Sequence, residues 1–249
     1  MSTASNASVT QTHCKADMAA VATFHLLRWR NNAAMINALA FDRLRYRRSA
    51  ELLFVRVLGT GKGSSTAPGS EWGRTALFCL WQTELAADAF ITTQQHRAGL
   101  RESWHVKLRG AGGHGAWRGV HVPRILQRDQ SDSSGDADTP LAIITRADVR
   151  LRAWRTFSAA ARVVDRELHA SDGLVAVVAV GEAPILRLGT FSVWRNHDAM
   201  RNFATRRPDH GAVVQRTRAE NWYGEEMFAR FVPYWSTGTW DGRDPLRAT

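Results

Sequence analysis

Phe78-Cys79-Leu80-Trp81 recurs as Phe191-Ser192-Val193-Trp194. Reading the two tetrapeptides as the same strand in two copies of one unit decides the fold. Each is followed by a helix-like stretch in which a Phe lies nine residues after the Trp, Phe90 and Phe203. Each half also closes alike. Trp104-His105-Val106-Lys107-Leu108 and Met227-Phe228-Ala229-Arg230-Phe231 read as strands, and both lead into a Gly-x-Trp tail, Gly115-Ala116-Trp117 and Gly238-Thr239-Trp240. Landmarks repeating in one order across two halves indicate a duplicated unit.

Outward from these landmarks, hydrophobic periodicity in the second half gives strand 141–150, helix 152–168, strands 174–180 and 189–194, helix 198–222 and strand 227–231. Asn196 and Asp198 supply cap-type residues for the last helix, and Pro208, which lacks an N–H, breaks or restarts it. The first half gives strand 18–27, helix 33–50, strands 52–58 and 74–81, helix 86–101 and strand 104–108. Both orders are βαββαβ. Such a unit makes a four-stranded antiparallel sheet with both helices on one face and leaves the other face uncovered. Two copies cover each other, so the expected class is α+β: two tandem ferredoxin-like βαββαβ repeats forming a single-chain dimeric α+β barrel. The expected boundaries are a disordered tail 1–17, a first repeat 18–118, a linker 119–140 rich in Asp, Ser and Gly, and a second repeat 141–249.

Composition narrows the function. At 249 residues and 44% hydrophobic the chain is long enough to bury a core. Its longest apolar stretches fall short of the roughly 20 residues a membrane-spanning helix needs. The polar start lacks the apolar region of a secretory signal, and Cys14 and Cys79 make neither a disulfide framework nor a CxxC site. A cytoplasmic location is expected. The net charge of +10 attracts nucleic acid, anionic lipid or an acidic protein, or reflects only an Arg-rich genome. No recognition helix or basic-aromatic RNA motif supports nucleic acid.

The stretch Gly59-Thr60-Gly61-Lys62-Gly63-Ser64 lacks phosphate-loop spacing and reads as a turn between strands. There is no GxSxG elbow and no HExxH. The nine histidines remain, imidazole being the commonest metal or haem ligand in a chain without ligating cysteines. His13, His114, His121 and His169 read as solvated. His105 shares a polar strand face with Lys107 and Arg109, while His25 shares a face with Val21, Thr23 and Leu27 that points either into a barrel interior or into a core that satisfies it. His210 follows Pro208 and heads a helical face with Val213, Val214 and Thr217. Gly211 beside it allows a flat macrocycle to approach closely, and Arg206 and Arg207 offer partners for propionates. The alternative for His210 is a helix cap or a buried hydrogen bond. His96 holds the corresponding place in the first repeat and is the rival ligand. The Trp residues of the second half, Trp194, Trp222, Trp235 and Trp240, line either a core or an apolar cavity.

Several strings have a recognisable character: Glu102-Ser103-Trp104-His105-Val106, Val180-Gly181-Glu182-Ala183-Pro184, Arg216-Thr217-Arg218-Ala219-Glu220-Asn221-Trp222-Tyr223, Glu226-Met227-Phe228-Ala229-Arg230-Phe231 and Gly238-Thr239-Trp240-Asp241-Gly242-Arg243-Asp244-Pro245-Leu246. From about Met18 to Leu246 the chain resembles the spheroidene monooxygenase family, carotenoid 2-ketolases of purple photosynthetic bacteria. The resemblance implies a haem-dependent monooxygenase that uses O₂ and reduced ferredoxin to place a keto group at C2 of acyclic carotenoids such as spheroidene; with so water-insoluble a substrate, the positive charge is also expected to hold the chain peripherally at the inner membrane. The resemblance carries no motif for the iron ligand; helix position and analogy with haem-binding barrels assign it to His210, with Arg206, Arg207, Gly211 and Val214 around the cofactor. A cofactor-free monooxygenase or a haem-handling protein on the same barrel is the competing class, since a fold does not determine its reaction.

Overall fold

The structure is a computed structural model that describes residues 20–61, 70–126, 138–183, 186–206, 216–217 and 219–247. The tail 1–17, most of the linker and Arg207, His210, Gly211 and Val214 lie outside the described residues, and only the backbone of Arg206 is described.

The chain runs β1 (Val21–Trp29), α1 (Asn32–Tyr46), β2 (Leu52–Gly61), β3 (Ser70–Trp81), α2 (Glu84–Gln95), β4 (Leu100–Gly115), α3 (Val122–Leu126), β5 (Leu141–Val149), α4 (Trp154–His169), β6 (Leu174–Ala183), β7 (Arg187–Trp194), α5 (His197–Arg206) and β8 (Tyr223–Gly238). Side chains start three of the helices: Asn31, Thr83 and Asn196 each accept the backbone N–H three residues on, so α1, α2 and α5 begin where an orphan donor finds an oxygen.

The strands close into one barrel in the order β1-β3-β2-β6-β7-β5-β8-β4. Each half contributes an antiparallel sheet of the same order, β4-β1-β3-β2 and β8-β5-β7-β6. The two Phe-containing tetrapeptides occupy the same place in these sheets: Thr23 pairs with Cys79 and Phe24 with Phe78, as Ile143 pairs with Ser192 and Ile144 with Phe191. Two seams join the halves. β4 and β8 run together from Trp104↔Gly238 to Gly115↔Met227, whereas among the described residues β2 and β6 pair at Gly59↔Gly181 and Thr60↔Val180.

Inward-facing side chains fill the barrel. Phe24 from one sheet stacks on Phe191 from the other at 3.8 Å, Phe78 stacks on Trp117, and Phe231 packs against Phe78. These rings are fully buried or nearly so. The interior is therefore core among the described residues.

The repeat order expected from the landmarks is present, with differences in extent; the last helix does not reach residue 222, because Asn221 takes φ +49° and turns the chain into β8. Helix α2 stops at Gln95 instead of running to residue 101, because Gly99 takes φ +85° and turns the chain into β4. Strands β4 and β8 are 16 residues each, far longer than 104–108 and 227–231. The range 119–140 is not all connecting chain: Val122 and Leu126 of α3 pack into the barrel core beside Trp117.

Candidate active site

The outward faces of the two sheets meet helices, and the two halves use that space differently. In the first half it is filled. Leu27, Trp29, Leu77, Cys79 and Trp81 pack under Met35 and Ala38 of α1 and Ala87 of α2. Within this layer the fully buried His25 and His105 face each other across β1 and β4, Nδ1 to Nδ1 at 2.9 Å. His25 Nε2 lies 2.8 Å from Thr23 Oγ1, which also accepts from Trp81 Nε1. One Nδ1 must carry the proton and the other must be bare, which two neutral rings of complementary tautomer satisfy. Burial lowers the pKa of both, to about 4 for His105, and the His105 ring lowers that of His25 further. His25 thus faces the helices rather than the barrel interior and is a satisfied core histidine. His105 is not on a solvated polar face, because α2 covers it.

In the second half the same space is a cavity of about 440 Å³ between β5, β7, β8 and the helices α4 and α5. Its sheet side mixes small side chains with the larger Ile143, Arg146, Leu188 and Phe228. Thr145 and Thr190 join their hydroxyls at 2.8 Å, with Ala147 and Ser192 alongside. Phe157, Ala161, Val164 and Leu168 form the α4 wall at helical spacing, and Met200, Phe203 and Ala204 form the α5 wall. Trp194 closes one side, its N–H donating to Ser192 Oγ and its ring 5.4 Å from Phe203.

Few polar groups border this apolar space. His114 stacks on Phe228 with ring centroids 5.6 Å apart, and it is the histidine that the described residues place in the cavity wall. Asp165 on α4 has its pKa raised by burial, opposed by His169 one turn on. Burial and the Glu226 carboxylate push Tyr223 up to about 12. Among the described residues no group of three or more His, Cys, Asp or Glu side chains is arranged to hold a metal ion.

Of the residues singled out in the sequence, His210, Arg207, Gly211 and Val214 are outside the described residues, but the described positions on either side of them, Ala204 and Thr217, both line the cavity. Arg206 ends α5. His96 sits at the C-cap of α2, exposed, with Nδ1 2.9 Å from the carbonyl of Thr92, in the other half and not in the cavity wall. Asp165 and Glu226 were missed; His114 is exposed, as expected, and also borders the cavity. The periodicity of α4 carried the signal for Asp165, which shares a face with Phe157, Ala161 and Leu168; His114 carried none, being flanked by glycines that read as a loop.

Both the sequence and the fold have known relatives. Over 194 residues the chain is 34% identical to spheroidene monooxygenase of Rubrivivax gelatinosus, an alignment that covers 76% of this chain and 72% of that one. The chain belongs to the spheroidene monooxygenase family. The spheroidene monooxygenase of Rhodobacter capsulatus is 27% identical over 235 residues, covering 91% of this chain and 95% of that protein. As a member of the spheroidene monooxygenase family the chain is an oxidoreductase of the monooxygenase type. Comparison with protein-family models finds no match. Among solved structures, aldoxime dehydratase superposes with a TM-score of 0.56 at 12% identity over 92% of this chain and 88% of that one, and an aldoxime dehydratase complex with butyraldoxime gives 0.57. Both share the fold.

Proposed function

We propose that the chain is a haem-dependent monooxygenase that introduces a C2 keto group into acyclic carotenoids such as spheroidene, taking oxygen from O₂ and electrons from reduced ferredoxin at the inner membrane. Family membership supports the substrate class, and the cavity of the second repeat carries the reading of the site. A haem needs an apolar slot, an axial ligand and cations near its carboxylates. The cavity lies within the range of about 300–1,000 Å³ usual for ligand pockets, has aromatic and aliphatic walls on the helix side, and on the sheet side carries small residues, aliphatic and aromatic groups and the cation Arg146. Those residues fit the group. His210 would ligate the iron, Gly211 and Val214 would lie against the ring, and Arg206 and Arg207 would pair with propionates; this stretch joins Ala204 to Thr217, both in the cavity wall.

Bound haem supplies the redox chemistry that no side chain here offers. The chain's own residues do the rest. Phe157, Leu168, Trp194, Met200 and Phe203 exclude water and hold the hydrocarbon end of a substrate too long to enter whole. The Asp165 carboxyl, its pKa raised by burial, borders the cavity from α4, and the His114 imidazole borders it from the sheet side, so both can exchange protons there. Each hydroxylation consumes one O₂, two electrons and two protons and yields one hydroxyl and one water. A second at the same carbon gives a geminal diol, which loses water to the ketone.

The test is the absorption spectrum of protein purified after haem-sufficient expression, alongside ferredoxin-driven conversion of spheroidene. The expected result is a haem spectrum and ketone product, both lost in His210→Ala with the near-ultraviolet dichroism of a folded chain retained. Haem-free protein of full activity would establish the cofactor-free reading instead. A wild-type spectrum in His210→Ala would move the ligand to His114. The +10 charge predicts that turnover with an acidic ferredoxin weakens as salt rises, since such steering is screened within about 8 Å at physiological ionic strength.

A further inference from the structure

Helix α1 is built inside out. On its inner face Met35 and Ala38 enter the core and Asp42, 1% exposed, accepts from Arg97 Nη2 at 2.6 Å and Arg45 Nη1 at 2.8 Å. Its outer face carries Ile36, Leu39, Phe41 and Leu44 at 53%, 37%, 49% and 58% exposure. Leaving four large apolar side chains in water on one helix is costly, and such patches mark interaction sites. Between and beyond them stand Arg43, Arg47 and Arg48, all exposed, and none forms an ion pair among the described residues. Asp42 is the helix's sole acid, and it is turned inward. The nearest acid beyond the helix, Glu51, is engaged by the Thr83 hydroxyl.

We propose that the outer face of α1 is the surface by which this protein lies on an anionic lipid bilayer. A helix that presents aliphatic and aromatic side chains together with arginines, and no acid, matches the two layers of a membrane interface: apolar groups enter the acyl boundary while guanidinium groups meet phosphates. The helix spans about 22 Å, enough for its apolar residues to enter together. Among the described residues no helix is long and apolar enough to cross a membrane, so this contact is with the surface. A second copy of the chain is disfavoured because a two-fold contact through this face would set Arg43, Arg47 and Arg48 against their own copies. An acidic protein would satisfy the arginines but would leave the protruding Ile36 and Leu44 without a partner of their kind. The inference needs neither haem nor carotenoid, so it stands or falls separately from the proposed reaction.

The test uses the purified full chain with vesicles of phosphatidylcholine alone or mixed with phosphatidylglycerol, read by co-sedimentation at low and high salt. The wild type should partition onto the mixed vesicles and release as salt rises. Arg43→Gln with Arg47→Gln should weaken that partition roughly thirtyfold, and Ile36→Ser with Leu44→Ser by about tenfold or more. Both pairs should retain the wild-type melting temperature and activity on detergent-dispersed substrate, because these side chains are already in water. Failure of the wild type to bind anionic vesicles, or unchanged binding by both pairs, would overturn the proposal. So would variants that bind vesicles normally while dissociating a dimer or losing affinity for ferredoxin, which would assign the face to a protein.

Discussion

The two halves superpose in register, so the helix–sheet layer of one can be compared with that of the other row by row. The row His25–Leu77–His105 in the first half corresponds to Thr145–Thr190–Phe228 in the second. The next row, Leu27–Thr75–Ser103, corresponds to Ala147–Leu188–Glu226. Leu77 has become Thr190 and Leu27 has become Ala147. The same scaffold closes the layer where Leu27 and Leu77 reach under the helices and leaves a chamber where Ala147 and Thr190 stand in their places, although Leu188, Glu226 and Phe228 there are larger than Thr75, Ser103 and His105.

The largest expected effect contrasts the equivalent tryptophans. Trp81 is 1% exposed, bonded to Thr23 and packed on Phe90; Trp194 is as buried but borders the cavity. Trp81→Ala should cost about 3–5 kcal/mol in urea unfolding. Trp194→Ala should cost roughly half that, since one side of the ring already lacks protein contacts, and should depress activity instead. Equal losses of stability would break the comparison.

The next effect is on activity. Copying the first half into the second with Ala147→Leu and Thr190→Leu should fill the chamber floor, leave the melting temperature at or above that of the wild type, and reduce turnover on the order of a hundredfold. Undiminished turnover would place the reaction elsewhere.

A third effect is pH dependence confined to the filled half. His105 is lowered from 6.5 to about 4 by burial, and His25 is lowered as well. Between these values the unfolded chain binds protons that the folded chain refuses, so stability rises with pH there. The contribution is complete above about pH 6.5 and is lost as pH falls towards 4, amounting to about 3 kcal/mol for His105. His105→Phe, the counterpart of Phe228, should flatten urea midpoints across that window. The smallest effect is expected at His96: exposed at a helix end, His96→Ala should change stability by about 0.5 kcal/mol or less and leave any haem spectrum intact.

The repeat was legible because strands that pair alike keep their large residues at the same positions, and Phe78/Phe191 and Trp81/Trp194 are such positions. Which face of β1 points into the barrel was not legible. Both faces of a strand between a filled barrel and a helix layer are buried, so the alternation put His25 with Thr23 and Leu27 correctly but gave no way to tell interior from exterior. The glycines of 110–115 misled for another reason. They read as a turn, yet they continue β4 past a break in register: a Cβ at Gly113 would lie 2.2 Å from the carbonyl oxygen of Phe228, so the strand passes β8 there only because the side chain is absent. That passage delivers His114 to the cavity. The cavity itself depends on two helices held off a sheet, a distance that no local pattern in the sequence encodes.

The unequal seams of the barrel have a consequence for how such a molecule assembles. Two separate chains forming this barrel would need both junctions to contribute to their association. In one chain, the ten residue pairs along β4 and β8 secure the halves, and the remaining edges meet at the high effective concentration that tethering creates. Between β2 and β6 a short clasp then suffices, which among the described residues consists of Gly59↔Gly181 and Thr60↔Val180. Covalent fusion relaxes the demand on that edge, and backbone amides at Gly59 and Thr60 should be the first of the barrel to exchange with solvent.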